Sequence, residues 1–312
     1  MIQQHLGEDA LSDTCYIYPR SIVQFGERLE QSLTLSCPEA ARLALTQADA
    51  FAFVSAEFTT RLTTTTVIGS VRGFTMEVMD EVHIFLIQLF QTDALSNTER
   101  LVVVGWLCQQ LDGLVACNNQ TQADSLLAEI RSMVESGSVR AIVSQLSRQQ
   151  EVSITLFSIL FASKTPSGTS AGQVDVFERV RSGLGIDAAL DSVKIANNYA
   201  RGSQLLQTDN SVYNQLMSHY LLNDLVRETF PWTQATAMGH YRRLLTRYGI
   251  LRLMLAGVAA ALNAAPDEAT TVQTIQVFCR KYQHSMSFVE QAEGLLAESN
   301  WTQLEKLYAL LN

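Results

Sequence analysis

The chain has few of the residues that interrupt helices, with five prolines and sixteen glycines among 312 residues. Long stretches pass without either residue, which favours long helices over a β architecture with many turns. Apolar residues make up 47% and charged residues 17%, a composition typical of a folded chain with a substantial core. The sequence therefore predicts a mainly α fold, a multi-helix bundle-like array.

Dense clusters of positive charge are also missing. The formal net charge is −9, whereas nucleic-acid binders normally carry a dense basic face. The most basic stretch, His240–Arg247, either lines a pocket for an anion or forms a solvated helix face with salt bridges. We therefore expect no nucleic-acid partner.

No apolar run is long and clean enough to indicate a membrane span. The most apolar segment, Gly249–Ala265, is interrupted by Arg252, and a span needs about 20 consecutive apolar residues. The first residues have neither the positive start nor the apolar core of a secretory signal. These features predict a cytoplasmic protein with no membrane partner.

The common catalytic and nucleotide-binding motifs do not occur. The sequence has no Walker A loop, no dinucleotide-binding glycine fingerprint, no zinc-protease helix motif and no nucleophile-elbow motif. The pattern nearest to a glycine-rich loop, Arg181–Ile186, is more typical of a helix end. Any activity must therefore depend on less regular groups of residues.

What the chain does have is helical periodicity after a short β-prone segment. Ser21–Gly26 and Gln31–Leu35 predict a hairpin with a polar link at Glu27–Glu30, and the threonine-rich run 59–66 predicts a loop. The predicted helices cover 38–48, 74–91, 97–116, 121–135, 138–147, 151–163, 173–183, 188–205, 210–229, 234–263, 267–285, 286–296 and 300–311.

This pattern predicts two units. Residues 1–40 carry the hairpin and two cysteines, and residues 41–312 form the helical domain. The segment Lys164–Gly172 is rich in small and turn-forming residues, so it is the best position for a sub-boundary within that domain.

The five cysteines, an odd number at irregular spacings, give no disulfide framework. Cys15 and Cys37 bracket the predicted hairpin, and thiolates in such positions are candidate ligands for zinc or an iron–sulfur cluster. Cys108, Cys117 and Cys279 lie in apolar helical patterns, where free cysteine behaves as a small buried hydrophobe.

Two helical segments carry polar side chains suited to lining a pocket. His219 and Asn223 are four residues apart and therefore neighbours on a helix face, with Tyr220 one step round. Arg280 and His284 have the same spacing and combine a cation with a titratable imidazole. For both sets the alternative is a packed helix whose polar tips are satisfied by hydrogen bonds.

Together these segments resemble one known family, the flagellin lysine-N-methylases. The resemblance is weak between residues 45 and 205 and rests on both ends of the chain. The matching stretches are Leu6-Gly7, Ala10–Cys15, Tyr18–Arg20, Ser32–Ala40, Tyr220–Asn223 leading to Phe230-Pro231, Tyr248 with Arg252, and Phe278 with Arg280 and His284.

The resemblance implies methyl transfer from S-adenosylmethionine to the ε-amines of flagellin lysines. It also implies a cysteine-bound [4Fe–4S] cluster whose final ligands correspond to Cys15 and Cys37. Because such a cluster takes about four ligands, we expect that the N-terminal cysteine-rich segment is missing. Either the start is internal to a longer reading frame, or the cluster has been lost.

Two other functions remain open on the sequence alone. One is a truncated, non-catalytic helical protein that binds flagellin, and the other is a small zinc-binding module at 1–40. In-frame cysteine codons upstream of Met1 would favour the enzyme, an early stop codon would favour the non-catalytic protein, and retained metal would favour the zinc module.

Overall fold

A computed structural model gives the structure of this chain. It describes residues 17–57, 66–146, 150–163, 171–187, 190–208, 210–283 and 285–311, together with residues 5, 7, 10, 12 and 13. Two of the predicted site residues, Cys15 and His284, lie outside the described residues.

A small sheet lies near the N-terminal end. Strand β1 (Arg20–Phe25) pairs antiparallel with β2 (Arg28–Leu33) and parallel with β3 (Thr66–Ile68). The predicted hairpin is confirmed, but its turn is the tight Gly26-Glu27 pair and not the longer polar link. Gly26 has a φ of 60°, a left-handed conformation that glycine adopts at little cost. This early turn starts β2 before the predicted position.

The third strand was not predicted. Thr66 ends the threonine-rich run that predicts a loop, yet it begins β3 and lies opposite Val23 of β1. The rest of that run lies outside the described residues. A short strand at a sheet edge is stabilised by its partner more than by its own sequence, so local pattern alone does not reveal it.

Thirteen α-helices follow in the described part of the chain, and they confirm the mainly α fold. They are α1 (Pro38–Thr46), α2 (Met76–Gln91), α3 (Asn97–Ala116), α4 (Ala123–Glu135), α5 (Ser138–Gln145), α6 (Gln150–Ala162), α7 (Ala171–Leu184), α8 (Ser192–Thr208), α9 (Asn210–Arg227), α10 (Ala237–Leu262), α11 (Glu268–Phe278), α12 (Met286–Glu298) and α13 (Leu304–Ala309).

Side-chain caps fix several helix starts. The Ser96 hydroxyl accepts a hydrogen bond from the backbone N–H of Glu99, whose carboxylate accepts one from the Ser96 backbone N–H, a full capping box for α3. Helices α2, α10 and α11 start with a simpler N-cap. There the side-chain oxygen of Thr75, Thr236 or Asp267 accepts one hydrogen bond from a backbone N–H of the first turn. These local signals explain why the predicted helices lie close to the observed ones.

One predicted helix ends early. The single helix over 267–285 is wrong at its C-terminal end, because α11 stops at Phe278 and Cys279–Gln283 form a π-helical turn. A π turn adds a residue to the local repeat, so side chains beyond Phe278 no longer follow the spacing of an α-helix. Arg280 is exposed in this turn.

Helix α10 forms the centre of the core, with α3, α6, α7 and α8 packed around it. The closest approaches occur at two glycines. A Cβ at Gly183 of α7 would lie 1.9 Å from the Gly257 carbonyl oxygen, and one at Gly202 of α8 would lie 2.0 Å from the Ala256 carbonyl oxygen. The backbones of α7 and α8 are therefore in direct contact with α10.

By length and composition α10 is apolar enough to cross a membrane, but 89% of its most apolar window is buried inside the protein, as in a core helix. Helices on both sides of 164–172, α6 and α7, pack on α10. A sub-boundary at that segment and the division at residue 40 stay predictions.

Candidate functional site

A cleft of about 830 Å³ opens beside the N-terminal end of α3. We call it the α3 cleft. Its walls come from the loop after α1, the end of α2, the α2–α3 loop, the first turn of α3 and the exposed side of α9. The lining includes Asp49, Phe51, Phe90, Asp93, Arg100 and His219.

His219 of α9 lies half-buried in the wall of this cleft. Its Nδ1 is 2.7 Å from the carbonyl oxygen of Leu45. A carbonyl oxygen only accepts, so Nδ1 carries a proton, and in the neutral ring Nε2 keeps the lone pair. The Phe51 ring packs against the imidazole at a centroid distance of 5.2 Å. These contacts hold the ring and leave Nε2 as a candidate proton acceptor.

Arg100 of α3 also lines the cleft and is only 6% exposed. Its Nη1 donates to Asn97 Oδ1 at 2.9 Å and to Ser218 Oγ at 2.7 Å, and its Nη2 donates to the Thr92 carbonyl oxygen. Within the described chain no carboxylate forms an ion pair with Arg100, and its Nε has no hydrogen-bond partner. Burial lowers the pKa of this guanidinium.

A second polar group, the Asp224 network, is buried where α9 ends. Arg247 of α10 donates to both carboxylate oxygens of Asp224 at 3.2 Å, and Gln283 of the π turn donates to Oδ1. Arg227 lies 3.5 Å from the same carboxylate. Burial alone would raise the pKa of Asp224, but the two arginines outweigh it and hold that pKa below its usual range. This network joins α9, α10 and the π turn.

His240, at the start of α10, is buried next to this network. Burial lowers its pKa to about 3, so the imidazole is neutral at pH 7. It packs against the Phe230 ring at a centroid distance of 4.6 Å, and its Nδ1 has no partner among the described residues. A neutral histidine avoids placing a further cation beside the two buried arginines.

The predicted pocket residues of α9 do not share one surface. His219 lines the cleft, whereas Tyr220 is fully buried and packs edge-on against Phe278 at 5.9 Å. Asn223 is buried too, and its Nδ2 donates to the Leu33 carbonyl oxygen at 3.1 Å, which ties α9 to β2. Site roles for these three residues, and for exposed Arg280, stay predictions.

Cys37 is half-buried and immediately precedes α1. The other described cysteines lie elsewhere, because Cys108 and Cys279 are fully buried in the core and Cys117 is exposed at the end of α3. Within the described ranges no group of three or more histidine, cysteine or acidic side chains is arranged to hold a metal ion. The [4Fe–4S] cluster and its candidate ligands Cys15 and Cys37 stay predictions.

Sequence reasoning missed Arg100 and the Asp224–Arg247 pair. Arg100 lies in an ordinary charged first turn of a helix, and only its contacts with Thr92 and Ser218 distinguish it. The position of Asp224 could have predicted a buried ion pair, because this acid lies between Leu222 and Leu225 in a mainly apolar stretch. A charge at such a position is rarely buried unless it is paired.

Comparison with known proteins identifies the family. A family model described as FliB lysine N-methylase C-terminal domain matches residues 83–310, which include most of α2 and all of α3–α13. Neither curated proteins nor solved structures gave a match. Because the model covers well over half of the 312 residues, the resemblance to the flagellin lysine methylases is confirmed. The chain belongs to the FliB lysine N-methylase C-terminal domain family.

Proposed function

We propose that this protein transfers methyl groups from S-adenosylmethionine to lysine ε-amines of flagellin, and that the α3 cleft receives the lysine side chain. The observation that carries the proposal is the family match, whose range contains Phe90, Asp93, Arg100 and His219 of the cleft. Among the described residues, this cleft also combines a histidine that has a free lone pair with an apolar wall and exposed carboxylates.

The reaction makes three demands on the site. The lysine ammonium must lose a proton, because only the neutral amine has a lone pair to attack the sulfonium methyl. The new N–C bond forms as the C–S bond breaks, and S-adenosylhomocysteine leaves. The amine, methyl carbon and sulfur must lie in line, and holding them so supplies a large part of the rate enhancement.

The cleft offers groups for these tasks. His219 Nε2 is the proposed proton acceptor, since the hydrogen bond from Nδ1 to Leu45 fixes the tautomer. Asp49 and Asp93 are exposed and attract a cationic lysine. The Phe51 ring gives the lysine methylenes an apolar surface, as the stem of a lysine side chain commonly requires.

The test is methylation of flagellin with a donor that carries an isotope-labelled methyl group, read by mass spectrometry of flagellin peptides. We expect labelled lysines with the wild-type protein. His219→Asn keeps a side-chain donor for the Leu45 carbonyl but has no base, so we expect kcat to fall by a factor of about 10² to 10⁴.

The outcomes separate the possible functions. A wild-type rate for His219→Asn would contradict the base role alone. Flagellin that binds but gains no methyl group would contradict the enzyme and favour the non-catalytic flagellin-binding protein.

A further inference from the structure

We infer that Arg100 binds the carboxylate of the methionine part of S-adenosylmethionine at the floor of the α3 cleft. The nature of the ligand rests on the proposed function. The need for an anion rests on the surroundings of Arg100 alone.

The guanidinium of Arg100 is buried without a matching negative charge. It has five N–H donors. The described contacts engage Nη1 twice and Nη2 once with neutral oxygens, which leaves one Nη2 donor for a ligand and the buried Nε without a partner. A buried cation without a counter-charge is costly, so it usually has a partner of opposite charge. A ligand anion would supply one.

The nearest carboxylates do not fill this role. Glu99 accepts from the Ser96 backbone N–H at 2.7 Å and pairs with Arg140 at 3.2 Å, so both of its oxygens are engaged. Asp93 is exposed and forms no ion pair with Arg100, although its charge acts on that guanidinium at longer range. The charge of Arg100 therefore remains available to a ligand in the cleft.

The chemistry of the site favours a carboxylate over a phosphate. A single planar guanidinium matches a carboxylate in shape and in charge. The other arginine of the lining, Arg140, is paired with Glu99 and its side chain is 76% exposed. A doubly charged phosphate group would need a further cation, so a singly charged amino-acid carboxylate fits better.

The size and walls of the cleft fit the rest of the donor. Its volume of about 830 Å³ lies inside the range of about 300–1,000 Å³ typical of cofactor sites. The Phe90 ring lies 5.7 Å from the Arg100 guanidinium and is buried beneath the cleft wall, whereas Phe51 is half-buried in that wall. The Phe51 ring offers an apolar surface to the adenosyl group.

The experiment compares two ligands that differ in the carboxylate. S-adenosylhomocysteine carries the amino-acid carboxylate, and 5′-methylthioadenosine lacks it. We expect Arg100→Gln to weaken S-adenosylhomocysteine binding by about 10- to 100-fold, as for a lost charge-assisted hydrogen bond. Binding of 5′-methylthioadenosine should stay within about twofold, because the variant removes no contact to it.

Two further variants control for charge and for folding. Arg179→Gln removes an equal charge from the surface of α7, outside the cleft lining, and should leave both dissociation constants unchanged. Arg100→Lys keeps the buried charge but loses the paired N–H donors of the planar guanidinium, and should give intermediate binding of S-adenosylhomocysteine. Titration calorimetry gives the constants, and thermal melts check that each variant is folded.

Several results would overturn the inference. These are equal loss of both ligands in Arg100→Gln, unchanged S-adenosylhomocysteine binding, or no S-adenosylhomocysteine binding by the wild-type protein. Weaker binding of flagellin with unchanged S-adenosylhomocysteine binding would assign the carboxylate to the protein substrate instead. Normal methylation with an unchanged KM for the donor in Arg100→Gln would overturn this inference and leave the proposed function intact. If Arg100→Gln weakens only S-adenosylhomocysteine binding but the wild-type protein transfers no methyl group, this inference stands and the proposed function is contradicted.

Discussion

The buried Asp224 network makes the sharpest prediction about stability. Asp224→Asn keeps the shape of the side chain and removes its charge. The buried Arg247 then loses one of its two carboxylate partners, Asp224 and Glu228. The two side chains are 3% and 7% exposed and are joined by two hydrogen bonds of 3.2 Å. Removal of one partner from a buried pair costs about 3–5 kcal/mol. Glu228, 3.5 Å from Arg247, retains part of the counter-charge, so we expect the lower end of that range, about 3 kcal/mol.

An exposed pair supplies the matched control. Asp175 and Arg179 form a 2.9 Å ion pair on one face of α7, with side chains 49% and 38% exposed. Asp175→Asn makes the same chemical change, and such surface pairs contribute about 0.3–0.5 kcal/mol. Urea unfolding followed by far-UV circular dichroism should therefore separate the two variants by about 2.5 kcal/mol or more.

The pH dependence gives a second check on the same variant. The folded-state pKa of Asp224 is lowered, so its contribution is present above the unfolded pKa of about 3.9. This stabilising contribution is lost as the pH falls through the pKa of Asp224 in the folded protein. The stability difference between wild type and Asp224→Asn should therefore be full at pH 7 and shrink below pH 4, about the unfolded pKa. If Asp224→Asn costs no more than Asp175→Asn at pH 7, the network does not hold α9 against α10 and the reasoning is refuted.

Two further predictions follow from packing and from burial. Gly183→Ala should lower the free energy of unfolding by about 2 kcal/mol or more, since its Cβ would lie 1.9 Å from the Gly257 carbonyl oxygen. Gly113→Ala, with no neighbour within 4 Å of the added Cβ, should raise it by up to about 1 kcal/mol in the same urea assay. A pKa of about 3 for His240 means that only the unfolded chain binds this proton between pH 3 and pH 6.5, so stability rises with pH by about 1.4 kcal/mol per unit there. His240→Phe should flatten that slope, and an unchanged slope would contradict the buried neutral state.

The sequence predicts most of the helices because their signals are local. The predicted helix 97–116 coincides with α3, whose start is fixed by Ser96 and Glu99. The π turn could not be predicted in this way. Phe278, Cys279 and Tyr282 continue an apolar pattern, and the turn brings Gln283 to Asp224, a residue on another helix. The spacing of apolar residues cannot predict an element whose form depends on such tertiary contacts.

The cleft was predictable only in part. His219 stands out by residue type, because few side chains can accept a proton near neutral pH. Arg100 does not stand out, since the backbone of Thr92 and the side chains of Asn97 and Ser218 that surround it come together only in the folded chain. Arginines on helix surfaces are common, and an unpaired buried one is visible only in three dimensions.

The most direct test of the account asks whether methyl transfer takes place in the α3 cleft. Gln215 is an exposed residue of the cleft lining, and Gln109 is an exposed residue of α3 outside that lining. We predict that Gln215→Trp narrows the cleft and lowers the rate of labelling of flagellin lysines, whereas Gln109→Trp labels at the wild-type rate, with equal melting temperatures for both. Wild-type labelling by a folded Gln215→Trp protein would contradict the account.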